Sequence, residues 1–279
     1  MKKIIAAFDG LKYAENTAAC ALNLANRTQT HLVGVFPDDL TYTSYLIHEL
    51  VIKKGVTADQ LKKFELKDAA ARKASAEKFE KACKQAGIQY SLHYDKKVAI
   101  QGLKHESIYA DMLVISMKET FSHFPEKPPT RFIRDLLSDT QCPVLLVPEK
   151  YKGIEKVVLL YDGEPSSVYA IKMFSYLLPE FADLPAEVIS VNPANKSLHL
   201  PDNKLMKEFM KRHFPKAGYT ILKGMAEEAI VKKLKEQQEN TLVVLGAYRR
   251  GSVSRWFRES MADVLMKEVR LPLFIAHNK

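Results

Sequence analysis

The stretch of the sequence best suited to chemistry runs from Thr241 to His277. An apolar run, Leu242 to Leu245, stops at Gly246, and a loop rich in Gly, Ser and Arg follows before a helix-like segment and a second apolar run. A glycine at the carboxyl end of a strand lets backbone N–H groups approach an anion, and the start of a helix adds unpaired N–H donors and the positive end of its dipole. Strand, phosphate-sized loop, helix and strand in this order are common to many nucleotide-binding sheets.

The N-terminal residues predict the same class of sheet. Lys2 to Gly10, KKIIAAFDG, has the composition of a buried strand that ends at Asp9. Tyr13 to Arg27 has alanines and a leucine on one helical face, and His31 to Asp39 predicts a second strand. This strand–helix–strand unit is typical of parallel sheets with right-handed crossovers.

A long amphipathic segment interrupts the first half at about residues 40–90. Thr57 to Tyr90 is rich in Ala, Lys and Glu, and the segment as a whole predicts one long amphipathic helix, or two helices with a break near Gly55. Its apolar residues recur at helical spacing, and we expect four of them to face inward while the lysines face solvent: Leu61, Phe64, Ala74 and Phe79. The helix is expected to cover a face or an opening of the first domain.

The strand pattern of the first half then begins again. Lys156 to Gly163 repeats the first strand, and Ala186 to Pro193 repeats the second. Thr241 to Gly246 and Leu271 to His277 repeat two later apolar runs, Asp111 to Ser116 and Cys142 to Pro148. We interpret this as an internal duplication with domains at 1–150 and 154–279. The last strands of the two copies, 144–147 and 273–276, are expected to lie together, with the halves related by an approximate two-fold axis.

Each half resembles a universal stress protein domain. In that family the first strand ends in Asp, as at Asp9 and Asp162, and the last strand opens with a Cys-Pro-Val-like triplet, matched at Cys142–Val144 and Leu271–Leu273. The resemblance implies an α/β fold with two repeats of a five-stranded parallel sheet flanked by helices, similar to the adenine nucleotide α-hydrolases and Rossmann-like. It further implies a tandem member, in which one chain supplies both halves of an intramolecular pseudo-dimer.

Nucleotide-binding members of the family carry G-x2-G-x9-G-[ST] after the fourth strand. The second half matches its first glycine at Gly246 and its hydroxyl at Ser260, with Arg249 and Glu259 where the other two glycines belong. The first half retains only the hydroxyl, at Thr130. Its three glycine positions hold Ser116, Glu119 and Pro129.

The resemblance therefore places any ATP or AMP in the second half. The implied cofactor-binding residues are Asp162, Gly163, Val191, Gly246, Arg249, Gly251 and Ser260. In relatives the Val191 position contacts adenine through its backbone, and Arg249 has the charge to bind phosphate. The residues alone leave simpler alternatives open, because Asp162 next to a glycine is also a turn former and Val191 is also an ordinary core valine.

Several other functions are not expected from the sequence. The net charge of +9 comes without an aromatic-basic motif, so nucleic-acid binding is not expected, and no apolar run has the length of a membrane span. The histidines show no metal-ligand spacing, and no metal beyond Mg²⁺ carried by a nucleotide is expected. No nucleophile elbow is present, so we expect no enzyme, or at most weak ATP hydrolysis. Three scattered cysteines indicate reduced thiols in a cytoplasmic protein.

Two functions remain open at this level. In the first, the chain is a stress-response protein whose C-terminal half binds an adenine nucleotide weakly. In the second, it is a nucleotide-free scaffold or regulatory protein that binds a protein partner through the long helix of its N-terminal half.

Overall fold

The computed structural model of the protein describes residues 1–37, 57–95, 98–122, 124–192, 199–247 and 260–277. Within these ranges the chain forms two compact units. We call Lys2–Cys142 the N-terminal unit and Pro143–Lys279 the C-terminal unit.

The N-terminal unit is a parallel sheet with helical crossovers. Its four strands lie in the order β3-β2-β1-β4, and every pairing among them is parallel. The strands are β1 Lys3–Ala7, β2 His31–Pro37, β3 Tyr90–Asp95 and β4 Met112–Ser116, and the helices are α1 Glu15–Thr28, α2 Ala58–Gln85, α3 Ala99–Ile108 and α4 Arg131–Asp139. Burial on both faces explains why β1 and β4 have almost uninterrupted apolar sequences.

The C-terminal unit contains six strands in the order β5-β10-β9-β6-β7-β8. The strands are β5 Val144–Val147, β6 Lys156–Leu160, β7 Ala186–Asn192, β8 Gly218–Lys223, β9 Thr241–Gly246 and β10 Leu273–Ala276. The helices are α5 Pro165–Leu177, α6 Asn203–His213, α7 Ala226–Lys235 and α8 Met261–Glu268, with a short 3-10 turn at Pro179–Phe181. Strands β6 to β10 pair in parallel, whereas β5 pairs antiparallel with β10.

The α/β class and the parallel sheets predicted from the sequence are confirmed. The predicted neighbourhood of the last strands is also confirmed, because Leu145 of β5 lies opposite Phe274 of β10. The antiparallel pairing places β5 in the C-terminal unit, although its sequence belongs to the first repeat. The sequence reading missed β8, whose side chains are exposed or half-buried and therefore lack a continuous apolar run.

Helix α2 fulfils the prediction of one long helix. It begins with a capping box, in which the Thr57 side chain accepts from the Gln60 N–H and the Gln60 side chain accepts from the Thr57 N–H. The ring of Phe79 is fully buried, 5.3 Å from Phe8 and 6.0 Å from Phe36 between ring centroids. A β-carbon at Gly34 would lie 2.6 Å from the Phe79 ring, so this close packing requires glycine in β2. Neither α2 nor any other described helix is both long and apolar enough to cross a membrane.

The predicted inward face of α2 is partly wrong. Phe79 is buried, but Phe64 is 44% exposed and Ala74 is also exposed, and the side chain of Leu61 lies outside the described part. The segment before Asp68 is exposed at each residue whose side chain is described. Helical spacing of apolar residues predicts a helix and an apolar face, but it does not show how far the supporting sheet extends beneath that face.

Replacement of Phe79 and Phe64 by alanine tests which part of α2 is packed. We expect Phe79→Ala to lower the free energy of unfolding of the N-terminal unit by about 3–5 kcal/mol, because it leaves a cavity between α2 and β2. Phe64→Ala, the matched control on the same helix, should change it by about 0.5 kcal/mol or less. Urea denaturation, followed by hydrogen exchange at the amides of β1 and β2, measures both changes in unfolding free energy. Equal changes in the two variants would contradict the packing of Phe79 between α2 and β2.

Candidate functional site

In the C-terminal unit, Asp162 directs the turn from β6 into α5. Its Oδ1 accepts hydrogen bonds from the backbone N–H of Glu164 at 2.9 Å and from Oγ of Ser167 at 2.7 Å. The side chain is nevertheless exposed to solvent. Asp162 therefore forms the turn that the simpler interpretation predicted, and its exposure also leaves the carboxylate accessible to a ligand.

Gly246, at the end of β9, lies directly beneath the start of α5. A β-carbon there would be 2.5 Å from the carbonyl oxygen of Ser166 and 2.9 Å from the nitrogen of Ser167. The close backbone approach expected of this glycine is thus present, but its partner is the first turn of α5. Since Ser167 also donates to Asp162, the structure brings Asp162 and Gly246 to one place at the carboxyl ends of β6 and β9.

The other predicted residues lie around this edge of the sheet. Gly163 has a φ of 88°, and a β-carbon there would lie 2.7 Å from Cβ of Pro201, so the turn requires glycine. Val191 is half-buried near the end of β7, and Ser260 occupies the N-cap position of α8 without a capping hydrogen bond from its side chain. Arg249 and Gly251 lie outside the described residues.

The equivalent place in the N-terminal unit is filled by an acid. Glu119 follows β4, is only 7% exposed, and accepts hydrogen bonds at Oε1 from the N–H groups of Thr120 at 3.0 Å and Phe121 at 3.2 Å. The backbone of Asp9, at the end of β1, also donates to this carboxyl group. Burial, and then the negative charge of Asp9, raise the pKa of Glu119 to about 8.

The loop around Glu119 is fixed by Thr130. The Thr130 hydroxyl donates to the Glu119 carbonyl oxygen at 2.6 Å and accepts from the N–H of Ile133 at 3.1 Å. Thr130 is thus the N-cap of α4 and is fully buried. The Thr130 hydroxyl, which corresponds to the last position of the G-x2-G-x9-G-[ST] pattern, therefore holds the loop closed over Glu119.

Helix α2 covers the neighbouring turn after β1. Oγ of Ser75 donates to the Gly10 carbonyl oxygen at 2.8 Å, and a β-carbon at Gly10 would lie 2.9 Å from Cγ of Arg72. Asp9 itself accepts from the N–H of Leu11 at 3.0 Å. The turn that would face a nucleotide is therefore occupied by the protein's own side chains.

The carboxyl edges of the two sheets differ in whether their residues fit an adenine nucleotide. In the N-terminal unit two carboxyl groups lie where a phosphate would need donors, and the N–H groups of Thr120 and Phe121 already have an acceptor. The residues there do not fit a nucleotide. In the C-terminal unit an exposed Asp162, a half-buried Val191 and the start of α8 border the edge, and they are compatible with one.

The sequence reading identified Glu119 only as a replacement for a glycine and missed its burial. The sequence did carry a signal for this difference, because an acid at a glycine position of a phosphate-binding loop occupies the space of the phosphate and repels its negative charge. Among the described residues no group of three or more His, Cys, Asp or Glu side chains could hold a metal ion.

Gly246→Ala tests the packing of α5 on β9. We expect it to lower the free energy of unfolding of the C-terminal unit by about 1–3 kcal/mol, because the added carbon meets backbone atoms that cannot rotate away. Gly218→Ala is the matched control in β8, where the nearest atom to an added carbon is 3.9 Å away. If both variants unfold at the same urea concentration, Gly246 is not held in this contact.

Glu119 predicts a pH dependence of stability. Its pKa is about 8 in the folded state, against an ordinary value of 4.5 for a glutamate, so the folded state retains a proton that the unfolded state has lost between these pH values. The stability contribution is therefore fully present below about pH 4.5 and is lost as the pH rises through 8, with a slope of at most about 1.4 kcal/mol per pH unit. Urea unfolding at pH values across this interval measures it.

Glu119→Gln should flatten this dependence in the N-terminal unit, because the amide preserves the acceptor oxygen and does not ionise. Glu126→Gln, in the same loop but exposed, is the control and should leave the slope unchanged. An unchanged slope in Glu119→Gln would show that another group is responsible.

Comparisons with known proteins agree with this architecture. No protein-family model and no curated protein matches the sequence. Among solved structures, a universal stress protein from Archaeoglobus fulgidus DSM 4304 superposes with a TM-score of 0.64 at 14% identity, covering 99% of this chain and 98% of that one. A functionally unknown protein from Pseudomonas aeruginosa PAO1 (TM-score 0.57, 14% identity) and a putative universal stress protein from Pseudomonas aeruginosa UCBPP-PA14 (0.56, 15%) each cover 99% of this chain and 92% of their own. The chain therefore has the fold of the universal stress proteins over nearly its whole length.

Proposed function

We propose that this chain is a universal stress protein-like regulatory protein in which only the C-terminal unit binds an adenine nucleotide, ATP or AMP. The observation that carries the proposal is the burial of Glu119 beside Asp9 in the N-terminal unit. A triphosphate entering there would meet two acids in a site closed by Thr130 and α2. In this proposal the N-terminal unit binds no nucleotide and has a structural role.

The C-terminal unit supports the remaining half of the proposal. Asp162 is exposed at the end of β6, the backbone of Val191 lies near the end of β7, and α8 begins at Ser260 with the N–H groups of a helix start, which have no acceptor within the helix itself. In this proposal Mg²⁺ accompanies the nucleotide, and Arg249 and Gly251 contribute to the phosphate loop. We expect weak binding, because Arg249 and Glu259 replace two glycines and side chains obstruct a close backbone approach.

The nucleotide acts in this proposal as a ligand and not as a substrate to be turned over. Its binding energy would bias the conformation of the C-terminal unit or its choice of partner. We further propose that the repeats, 1–150 and 154–279, form an intramolecular pseudo-dimer in the cytoplasm, as two similar halves in one chain would allow.

The exposed part of α2 favours a second function, a nucleotide-free scaffold. Phe64 is 44% exposed and Leu66 is 63% exposed on a helix that is otherwise rich in charged side chains. Apolar side chains exposed on such a helix are suited to a protein partner with a hydrophobic groove. In this case the N-terminal unit would supply the functional surface.

Calorimetric titration with ATP and Mg²⁺ tests the proposal through the two equivalent aspartates. We expect the parent to bind one ATP per chain, Asp162→Asn to weaken binding about tenfold or more, and Asp9→Asn to bind as the parent does. The aspartates occupy the same position in their repeats, so Asp9→Asn is a matched control. Asparagine preserves an acceptor oxygen for each turn and thereby limits effects on folding.

Two other outcomes of the titrations would contradict the proposal. Loss of binding in Asp9→Asn but not in Asp162→Asn would place the nucleotide in the N-terminal unit. If the parent binds no ATP at millimolar concentration, the nucleotide proposal fails and the scaffold function is favoured.

A further inference from the structure

A cavity of about 460 Å³ lies between α5 and α6 in the C-terminal unit. Val168, Tyr169 and Lys172 line it from α5, while Leu205, Met206 and Phe209 line it from α6. Its volume is within the range of small-molecule sites, and its walls are mostly apolar and aromatic, as such sites usually are. Gly163 of the nucleotide edge also lines the cavity, but none of its lining residues belongs to β9 or to α8, so the cavity adjoins that edge and lies between the two helices.

One end of the cavity is held in place by the turn after β6. The hydroxyl of Tyr161 donates to the carbonyl oxygen of Pro201 at 3.0 Å, and Pro201 packs against Gly163. The N–H of Met206 donates to the carbonyl oxygen of Asp202 at 2.9 Å, and the Met206 side chain is buried. This end is therefore formed in the free protein and does not depend on a ligand to assemble it.

The charged residues of the lining are separated along the helices. Pro165, Val168, Tyr169 and Lys172 follow one stripe of α5, which places Lys172 about 10 Å along the axis from Pro165 at 1.5 Å per residue. Asp202, the acid of the lining, lies at the start of α6. Lys172 is half-buried, and no described residue forms an ion pair with it. The cavity thus has the Lys172 cation at one place and the Asp202 carboxylate at another, in a wall that is otherwise mostly apolar.

His213 is close enough to Lys172 to be affected by its charge. His213 receives or donates a hydrogen bond at Nδ1 with Oγ of Ser175 at 2.7 Å, and its ring lies 4.2 Å from that of Phe209 between centroids. Burial, and then the positive charge of Lys172, lower the pKa of His213. The neutral form of His213 is thus favoured beside Lys172, and the positive charge near it is that of the Lys172 ammonium group.

We propose that this cavity binds a small amphipathic carboxylate, with its apolar body against Val168, Met206 and Phe209 and its carboxylate at Lys172. A carboxylate supplies the counter-charge that no described residue gives to Lys172 in an ion pair, while the apolar body displaces water from the apolar side chains of the wall. Asp202 fixes the orientation, because it repels the carboxylate from the opposite end. The proposal does not rest on nucleotide binding, and the site would allow the C-terminal unit to sense an organic acid.

The test uses 4-phenylbutyrate and 4-phenylbutan-1-ol, which share an aromatic body and differ in charge. Calorimetry on the full chain should show the carboxylate binding about tenfold more tightly than the alcohol, as expected for one charge-assisted hydrogen bond. NMR should show a shift of the Met206 methyl resonance, assigned through Met206→Leu. Absence of saturable binding by the carboxylate, or equal affinity for the two compounds, would overturn the proposal.

Three variants locate the site. Lys172→Met should reduce the affinity for the carboxylate to that for the alcohol, whereas Lys211→Met, an exposed lysine of α6 that does not line the cavity, should preserve the tenfold preference. Asp9→Asn, in the N-terminal unit, should leave carboxylate binding unchanged, which places the site in the C-terminal unit. An equal loss in Lys172→Met and Lys211→Met would show a nonspecific effect of net charge and would also overturn the proposal.

Discussion

The constraint on which this structure depends is the space at the carboxyl edge of each parallel sheet. The turns that follow parallel strands all lie at one edge of the sheet. The turn after β1 must therefore share this edge with the turn after β4, and the turn after β6 must share it with the turn after β9. That space is either filled by the protein or left for a ligand. In each unit one residue decides whether this space is filled: Glu119, which follows β4, and Gly246, at the end of β9.

The two repeats resolve this constraint in different ways. In the C-terminal unit the turn from Asp162 to α5 is short, and it brings the backbone of Ser166 onto Gly246. Ser116 occupies the equivalent position in the N-terminal unit, where the turn from Asp9 to α1 is longer. There the loop folds inward, and Glu119 is buried next to Asp9 with its pKa raised. The loss of a glycine and the gain of a buried acid are therefore parts of one change in packing.

Helix α2 completes the closure of the N-terminal edge. Phe79 packs on β2 at Gly34, and Ser75 binds the Gly10 carbonyl oxygen over the turn after β1. The same helix extends beyond its support and exposes Phe64 and Leu66. An element that closes one potential binding site thus presents another kind of surface to solvent, which is how divergence after a duplication can give two similar folds different tasks.

The sequence by itself determined the duplication, the parallel α/β units and the long helix, because strands buried on both faces and a long segment rich in Ala, Lys and Glu with apolar residues at helical spacing have strong local signals. The resemblance to universal stress proteins also predicted Asp162 and Gly246 in one site, and the structure brings the two residues together at the carboxyl ends of β6 and β9. Only the tertiary structure decided that Gly246 packs against Ser166, that Glu119 is buried, that Phe64 faces solvent, and that β5 pairs antiparallel with β10. Each of these depends on contacts between residues far apart in the chain, and a local pattern of residue types carries no information about how closely two such segments approach.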